Sequence, residues 1–181
     1  MQDETKIQVK MTQVVVFKVG AETFAANIHS IREIVKVETI TPVPNSSSYI
    51  SGIINIRGKI IPIIDLEAIL GIGNKDDPRP YIILIDAPGN EEEIVGMLVT
   101  DIQEITSYAE SEFKTAPKLI KSKVDAENIS GVILPEDDED KDDVLLFLNL
   151  EAIITKSVQK EIDQVTSTKT NDTIAKEEPI Q

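Results

Sequence analysis

The stretch YISGIINIRGKIIPIIDLEAIL, residues 49–70, decides the fold of this chain. Two apolar runs, Ile53–Ile56 and Ile60–Ile64, flank the polar tripeptide Arg57-Gly58-Lys59. Isoleucine is β-branched and favours strands, and glycine adopts a positive φ at little cost. The stretch therefore predicts a hairpin with the tripeptide at its tip.

The residues that follow the turn predict how the hairpin ends. Pro62 cannot donate a ladder hydrogen bond, so the second strand should be an edge strand or bulged at that position. Asp65 stands where an N-cap would stand, before a short helical turn, LEAIL, that ends near Gly71. The unit is a strand, a tight turn, a second strand and a helical turn.

Arg57 at the hairpin tip has two interpretations that the sequence leaves open. A guanidinium on a rigid turn is a good fork for a partner's carboxylate. It could equally form an intramolecular salt bridge, with Glu33 as a candidate acceptor.

Composition excludes several classes of function. The chain has 181 residues, 41% of them hydrophobic, and no apolar run approaches the roughly 20 residues of a spanning helix. The start, MQDETKIQVK, lacks the apolar core of a signal peptide, so we expect a soluble, cytoplasmic protein. The net charge of −14 disfavours nucleic acid and anionic membrane surfaces as partners.

Catalytic and metal-binding chemistry has little support. There is no cysteine, and His29, the single histidine, lies in a helical-looking segment and is expected to be a partly exposed helix residue. Asp65 and Glu67 could form an acid–base pair, but capping is the simpler role for Asp65. The acidic run Asp137–Asp143 lacks the EF-hand pattern and is expected to be a solvated loop. We expect no cofactor and no metal.

About ten short strands separated by turns predict an all-β barrel or sandwich. Beyond the hairpin, the strand predictions are Val14–Val19, Thr23–Ala26, Ile34–Val37, Tyr81–Ile85, Ile94–Val99, Asp101–Thr106, Ile129–Leu134 and Val144–Leu150. His29–Glu33 is predicted as a helical turn and Ser111–Pro117 as loop with some extended character. Runs such as IILI and VLLFLNL are apolar on both faces, which favours two small barrels packed together.

The chain is expected to form one domain over residues 12–155, with a break between two halves near Gly73–Pro80. Glu151–Thr155 should begin a terminal helix. Residues 156–181 are polar, and we expect them to hold the end of that helix, near Val165, and a disordered tail.

GIINIRGKIIPIIDLE closely resembles the hallmark of the CheW-like chemotaxis coupling proteins. The resemblance rests on a glycine, an Asn-aliphatic-Arg-Gly turn and an aliphatic-Pro-aliphatic-aliphatic-Asp-Leu segment, and it extends from about Val14 to Ile154. One departure is Thr100, where the family commonly has aspartate.

The resemblance implies two five-stranded SH3-like barrels around a shared core, and a non-enzymatic role. It implies an adaptor that couples the cytoplasmic tip of methyl-accepting chemoreceptors to the regulatory domain of a CheA-type histidine kinase, in arrays beneath the membrane. The partner-binding residues carried over by position are Ile31, Glu33, Gly52, Asn55, Arg57, Gly58, Gly96 and Ile105.

Other readings are less well supported. A CheV-type protein would add a receiver domain, for which residues after Thr155 show no αβ pattern. An SH3-like module that binds proline-rich peptides would use an aromatic-lined groove, and only three tyrosines and four phenylalanines are present. An enzyme is the least supported reading.

Overall fold

The computed structural model describes residues 10–37, 39–72, 78–116, 128–135 and 144–154. In these ranges the chain forms eleven strands and a few short helices. The strands are β1 (Met11–Val19), β2 (Glu22–Asn27), β3 (Glu33–Lys36), β4 (Ile50–Ile56), β5 (Lys59–Asp65), β6 (Tyr81–Ala87), β7 (Asn90–Val99), β8 (Asp101–Ala109), β9 (Phe113–Lys114), β10 (Ile129–Ile133) and β11 (Leu145–Leu148). The helices are α1 (Leu66–Leu70), α2 (Leu150–Ile153) and two 3-10 turns, Ile28–Ser30 and Glu110–Glu112.

The strands form two sheets. One has six strands in the order β8-β1-β2-β11-β10-β9, and the other has five in the order β3-β6-β7-β5-β4. Most neighbours are antiparallel, but β2 pairs with β11 and β5 pairs with β7 in parallel. The predicted all-β fold with two SH3-like units is confirmed. The six-stranded sheet has one more strand than predicted, because Phe113–Lys114, predicted as loop, pairs with β10.

Several strands are apolar on both faces because both of their faces are buried. In β1, Val15 and Phe17 enter a large core shared by the two sheets, while Val14 and Val16 enter a second cluster within the six-stranded sheet. The five-stranded sheet has its own inner cluster, which contains the buried residues Ile61, Ile63, Ile82, Leu84 and Leu98. Alternate residues of one strand thus serve two different cores.

Pro62 is accommodated without lying in an edge strand. Ile53, which pairs with Pro62, exchanges both backbone hydrogen bonds with Thr41, at 2.9 Å each, so Ile53 and Pro62 form a pair without mutual hydrogen bonds. The parallel pairing of β5 with β7 begins at Ile63, just beyond the proline. The irregularity expected near Pro62 lies in the partner strand, where the register shifts between Ile50 and Gly52.

Several predicted boundaries were wrong by a few residues. The helical turn predicted over His29–Glu33 is the 3-10 turn Ile28–Ser30, since Glu33 already pairs with Leu84 of β6. The strand predicted over Val144–Leu150 is Leu145–Leu148, because Asn149 caps α2 through its side chain. His29 is exposed in its helical turn, as predicted.

Other predictions fall wholly or partly outside the described residues. They concern the first part of the break near 73–80, the acidic run 137–143 and the tail 156–181. The bounds 12–155 remain a prediction. Both sheets contain strands from before and after the break, so the break does not separate one sheet from the other. In the described ranges, no helix has the length and apolarity to cross a membrane.

Candidate functional site

The predicted hairpin is present, but its tip is one residue shorter than the predicted tripeptide, because Lys59 already belongs to β5. Ile56 pairs with Lys59 across a two-residue turn in which Arg57 has a φ of 51° and Gly58 a φ of 82°. Two successive positive φ values define a type I′ turn, whose twist matches that of the flanking strands. Asn55 stabilises the turn, since its Oδ1 accepts a 2.9 Å hydrogen bond from the Gly58 N–H.

Arg57 projects from this turn towards β3. Its Nη2 lies 3.5 Å from Glu33 Oε1, and the two side chains are 82% and 40% exposed. The intramolecular pair considered from the sequence is therefore present. Because Arg57 is so exposed, it still offers donors to a partner, and the two interpretations are compatible.

A groove with a volume of about 620 Å³ lies beside this ion pair. Its walls come from β3 and β4, the two outermost strands of the five-stranded sheet, which face each other because the sheet curls. The lining combines aliphatic side chains with polar and charged ones. The lining residues are Glu33, Val35, Lys36, Thr39, Thr41, Ile53, Ile54, Asn55, Ile56, Arg57 and Ile60.

The structure brings together only part of the predicted site. Glu33, Asn55, Arg57 and Gly58 lie at the hairpin end of this groove, which we call the hairpin site. Ile105 lies on β8 of the other sheet, where it pairs with Val15 and is 54% exposed.

The other predicted residues face inwards. Ile31 is half-buried against the shared core. Gly52, with a φ of 144°, is buried beside Thr41, and a Cβ there would overlap the Thr41 carbonyl. A Cβ on Gly96 would lie 2.5 Å from Ile63 Cδ1 and 2.7 Å from Ile82 Cγ2. Both glycines therefore permit close packing.

The sequence did not indicate that Asp65 and Glu67 belong to a buried polar network with Arg79 and Thr100. Asp65 caps α1 through hydrogen bonds to the N–H groups of Glu67 and Ala68, as predicted, and also pairs with Arg79. Glu67, 4% exposed, lies 3.8 Å from Arg79 and accepts a hydrogen bond from Thr100. The pairing of Asp65 with Arg79 had no local signal, because 14 residues separate them.

In the described ranges, no group of three or more His, Cys, Asp or Glu side chains is arranged to hold a metal ion. The hairpin site and the groove beside it offer aliphatic side chains, hydrogen-bond donors and two exposed cations, Arg57 and Lys36. Such a surface can bury apolar side chains of another protein and orient them by charge.

Residues 13–158 match the model of the CheW-like domain family. The chain belongs to the CheW-like family. It is 31% identical to the probable chemotaxis protein CheW of Rhizobium etli, over 67% of this chain and 76% of that protein. It is 30% identical to the chemotaxis protein CheW of Treponema pallidum, over 67% of this chain and 72% of that protein.

A solved CheW structure has the same fold. The crystal structure of the scaffolding protein TtCheW from Thermoanaerobacter tengcongensis superposes with a TM-score of 0.69, at 27% sequence identity. The likeness covers 80% of this chain and 93% of that one. The family assignment made from the hairpin motif is thus confirmed.

Proposed function

We propose that this protein is a non-enzymatic adaptor of chemotaxis, which couples chemoreceptors to a CheA-type histidine kinase on the cytoplasmic side of the membrane. The observation that carries the proposal is the hairpin site of a CheW-like chain. There, a rigid I′ turn presents Arg57, 82% exposed, beside an aliphatic groove.

The groove supports protein binding by hydrophobic contact. Ile60 is 38% exposed on the second strand of the hairpin, and Val35 and Ile54 line the opposite walls. An apolar side chain that a partner buries in such a groove contributes about 1–3 kcal/mol to binding. A receptor tip, which the family resemblance implies is a helical hairpin, could lay an apolar helix face into such a groove.

The charges at the rim support specificity. Arg57 can donate to a second carboxylate while it stays near Glu33, because a guanidinium has five donors in a fork. A rim contact of this kind sets the register of a bound helix and weakens as salt rises. The chain as a whole has a net charge of −14 and therefore repels acidic partners. An exposed arginine on such a chain gives an acidic group of a partner a local site of attraction.

The proposal is tested by binding measurements with purified components. The wild-type protein is mixed with a CheA-type kinase and, separately, with a soluble receptor-tip fragment from the same organism, and affinities are measured by calorimetry. We expect both to bind. Arg57→Ala should weaken binding of the receptor fragment by about 10- to 150-fold, the size expected for a hydrogen bond between charged groups.

Lys59→Ala is the matched control, because Lys59 is an exposed cation on the same hairpin, two residues away. It should bind the receptor fragment nearly as well as the wild type. If neither partner binds the wild-type protein, the proposed function is wrong. If Lys59→Ala and Arg57→Ala lose affinity equally, general charge and not the Arg57 fork governs binding.

A further inference from the structure

Thr100 occupies the point where the chain passes from one sheet to the other. It lies between β7 of the five-stranded sheet and β8 of the six-stranded sheet. Its N–H donates to the Lys18 carbonyl in β1 at 2.9 Å. Its Oγ1 accepts from the Gly20 N–H in the β1–β2 turn at 2.8 Å. Backbone and side chain of Thr100 are thus both bound to the six-stranded sheet.

The same hydroxyl also reaches the five-stranded sheet. Thr100 Oγ1 donates to Oε1 of Glu67, 3.3 Å away in α1, the helix that follows β5. Glu67 Oε2 lies 3.8 Å from Nη1 of Arg79, which in turn pairs with Asp65. Hydrogen bonds and ion pairs therefore run without interruption from the β1–β2 turn to the segment that leads into β6.

The charged residues that follow Thr100 in this chain of contacts are buried or nearly so. Glu67 is 4% exposed, and the Arg79 and Asp65 side chains are 15% and 14% exposed. A buried carboxylate must keep its partners, because an unpaired charge in the interior is costly. The carboxylate of Glu67 is consequently held between Arg79 on one side and the Thr100 hydroxyl on the other.

We infer that Thr100 is a positioning residue, whose hydroxyl fixes the angle between the two sheets by linking the β1–β2 turn to Glu67. The shared core holds the sheets together, but the hydrophobic effect is not directional. A hydrogen bond has preferred lengths and angles, so it selects one orientation. The Thr100 hydroxyl adds that directional constraint at the crossing point.

The inference rests in part on the proposed function, because orientation matters for a partner that touches both sheets. Arg57 belongs to the five-stranded sheet and the exposed Ile105 to the six-stranded sheet. A rigid partner that uses both can bind tightly only when their separation is fixed in advance. Thr100 contacts Lys18, Gly20 and Glu67 and would act on such binding through the orientation of the two sheets.

The test measures the distance between the sheets directly. The chain has no cysteine, so spin labels can be placed at introduced cysteines without background. Glu92→Cys labels β7 and Ser130→Cys labels β10, both at exposed positions. A second pair, Glu92→Cys with Lys59→Cys, lies within the five-stranded sheet and serves as the control.

Thr100→Val removes the hydroxyl and keeps the branched shape, whereas Thr100→Ser keeps the hydroxyl. We expect Thr100→Val to broaden or shift the distance distribution between the sheets and to leave the distribution within one sheet unchanged. Thr100→Ser should restore the wild-type distribution. Thr100→Ala, which also lacks the hydroxyl, replaces Thr100→Val if the latter does not fold.

A merely stabilising role would lower the melting temperature and leave the distance distribution unchanged well below it, and that result would overturn the inference. If the receptor fragment binds, its affinity should fall about fivefold in Thr100→Val, the size expected for one hydrogen bond. The distance measurement needs no partner. Failure of the proposed function therefore leaves this test intact, and an unchanged distance distribution overturns the inference alone.

Discussion

Glu33 and Arg57 lie at opposite edge strands of the five-stranded sheet, yet their charged groups approach to 3.5 Å. Glu33 begins β3 and Arg57 follows β4, and these two strands are the outermost of the sheet. The ion pair therefore spans the opening between them, beside the aliphatic groove. Any partner that enters the groove meets this pair at its rim.

Removal of the Arg57 charge should separate binding from stability. An exposed ion pair contributes about 0–1 kcal/mol, so Arg57→Ala should lower the free energy of unfolding by no more than that. Receptor binding should fall much further, if Arg57 also contacts a partner carboxylate. Urea denaturation and calorimetry on the same sample give both quantities.

The double reversal, Glu33→Arg with Arg57→Glu, distinguishes the two roles of Arg57. It restores an intramolecular pair but places the cation on β3, away from the turn. Stability should return to the wild-type value while receptor binding stays weak. Full recovery of binding in this variant would show that the pair itself is what the partner requires.

Gly52 should tolerate substitution far less well than Gly58. Alanine at residue 52 would overlap the Thr41 carbonyl and would also need a φ of 144°, so we expect a loss of about 3 kcal/mol or more in unfolding free energy. At Gly58 a Cβ meets no atom within 4 Å, and only the φ of 82° is unfavourable. Gly58→Ala should cost about 1 kcal/mol. Equal losses in chemical denaturation would contradict the close contact at Thr41.

Gly96→Ala should destabilise the protein by overpacking, by about 1–3 kcal/mol. The new methyl group would lie 2.5 Å from Ile63 Cδ1, which Ile63→Val removes. In a double-mutant cycle, the double variant should lose less unfolding free energy than the sum of the two single losses. The methyl group removed from Ile63 makes room for the one added at residue 96. Additive losses would mean that Ile63 does not limit the space at Gly96. Ile61→Val, a buried substitution on the same strand, is the control.

Asp65→Ala should cost more than the loss of an ordinary helix cap. Asp65 caps α1 and pairs with Arg79, whose side chain is 15% exposed, so its removal leaves a largely buried cation without that partner. We expect a loss of about 2–4 kcal/mol. Asn149→Ala removes only the cap of α2 and should cost about 1 kcal/mol. Thermal melts of the two variants provide the comparison, and similar losses would argue against a role for the Arg79 pair.

Lys10 should titrate at a higher pH than an isolated lysine. A hydrogen bond to Glu110, and then the charge of that carboxylate, raise the pKa of Lys10 above its usual 10.5. The associated stabilisation is present below pH 10.5 and is lost as pH rises through the raised pKa of the folded state. Glu110→Gln should return the pKa to its usual value in an NMR titration, while Glu104→Gln on β8 should not.

Local chemistry allowed the hairpin and its cap to be predicted from sequence. The hairpin with Gly58 at a positive φ follows from glycine's backbone preference, and the Asp65 cap from its place before an apolar run. The I′ turn type was not predicted, because it also needs a positive φ at Arg57, which non-glycine residues rarely adopt. Runs that are apolar on both faces correctly predicted two packed units with a shared core, since a strand with no polar face must be covered twice.

Contacts between distant residues could not be predicted in the same way. Thr100 and Gly20 are 80 residues apart, and nothing near either one specifies the other. Gly96 was carried over as a partner-binding candidate, and nothing in the sequence indicated that it is buried in close contact with Ile63 and Ile82. The assignment of individual residues to a partner remains a prediction, because it depends on a surface that only the complex completes.

The mixed order of strands in the two sheets has a practical consequence. A cut in the backbone between Ile72 and Pro78 would yield one fragment that carries β1 to β5 and another that carries β6 to β11. Each fragment would hold part of both sheets and the whole of neither, so its apolar faces could be covered only by the other fragment. Two fragments that fold only when they associate form a complementation pair. If each were fused to a different protein, their folding would report the association of those two proteins in a cell.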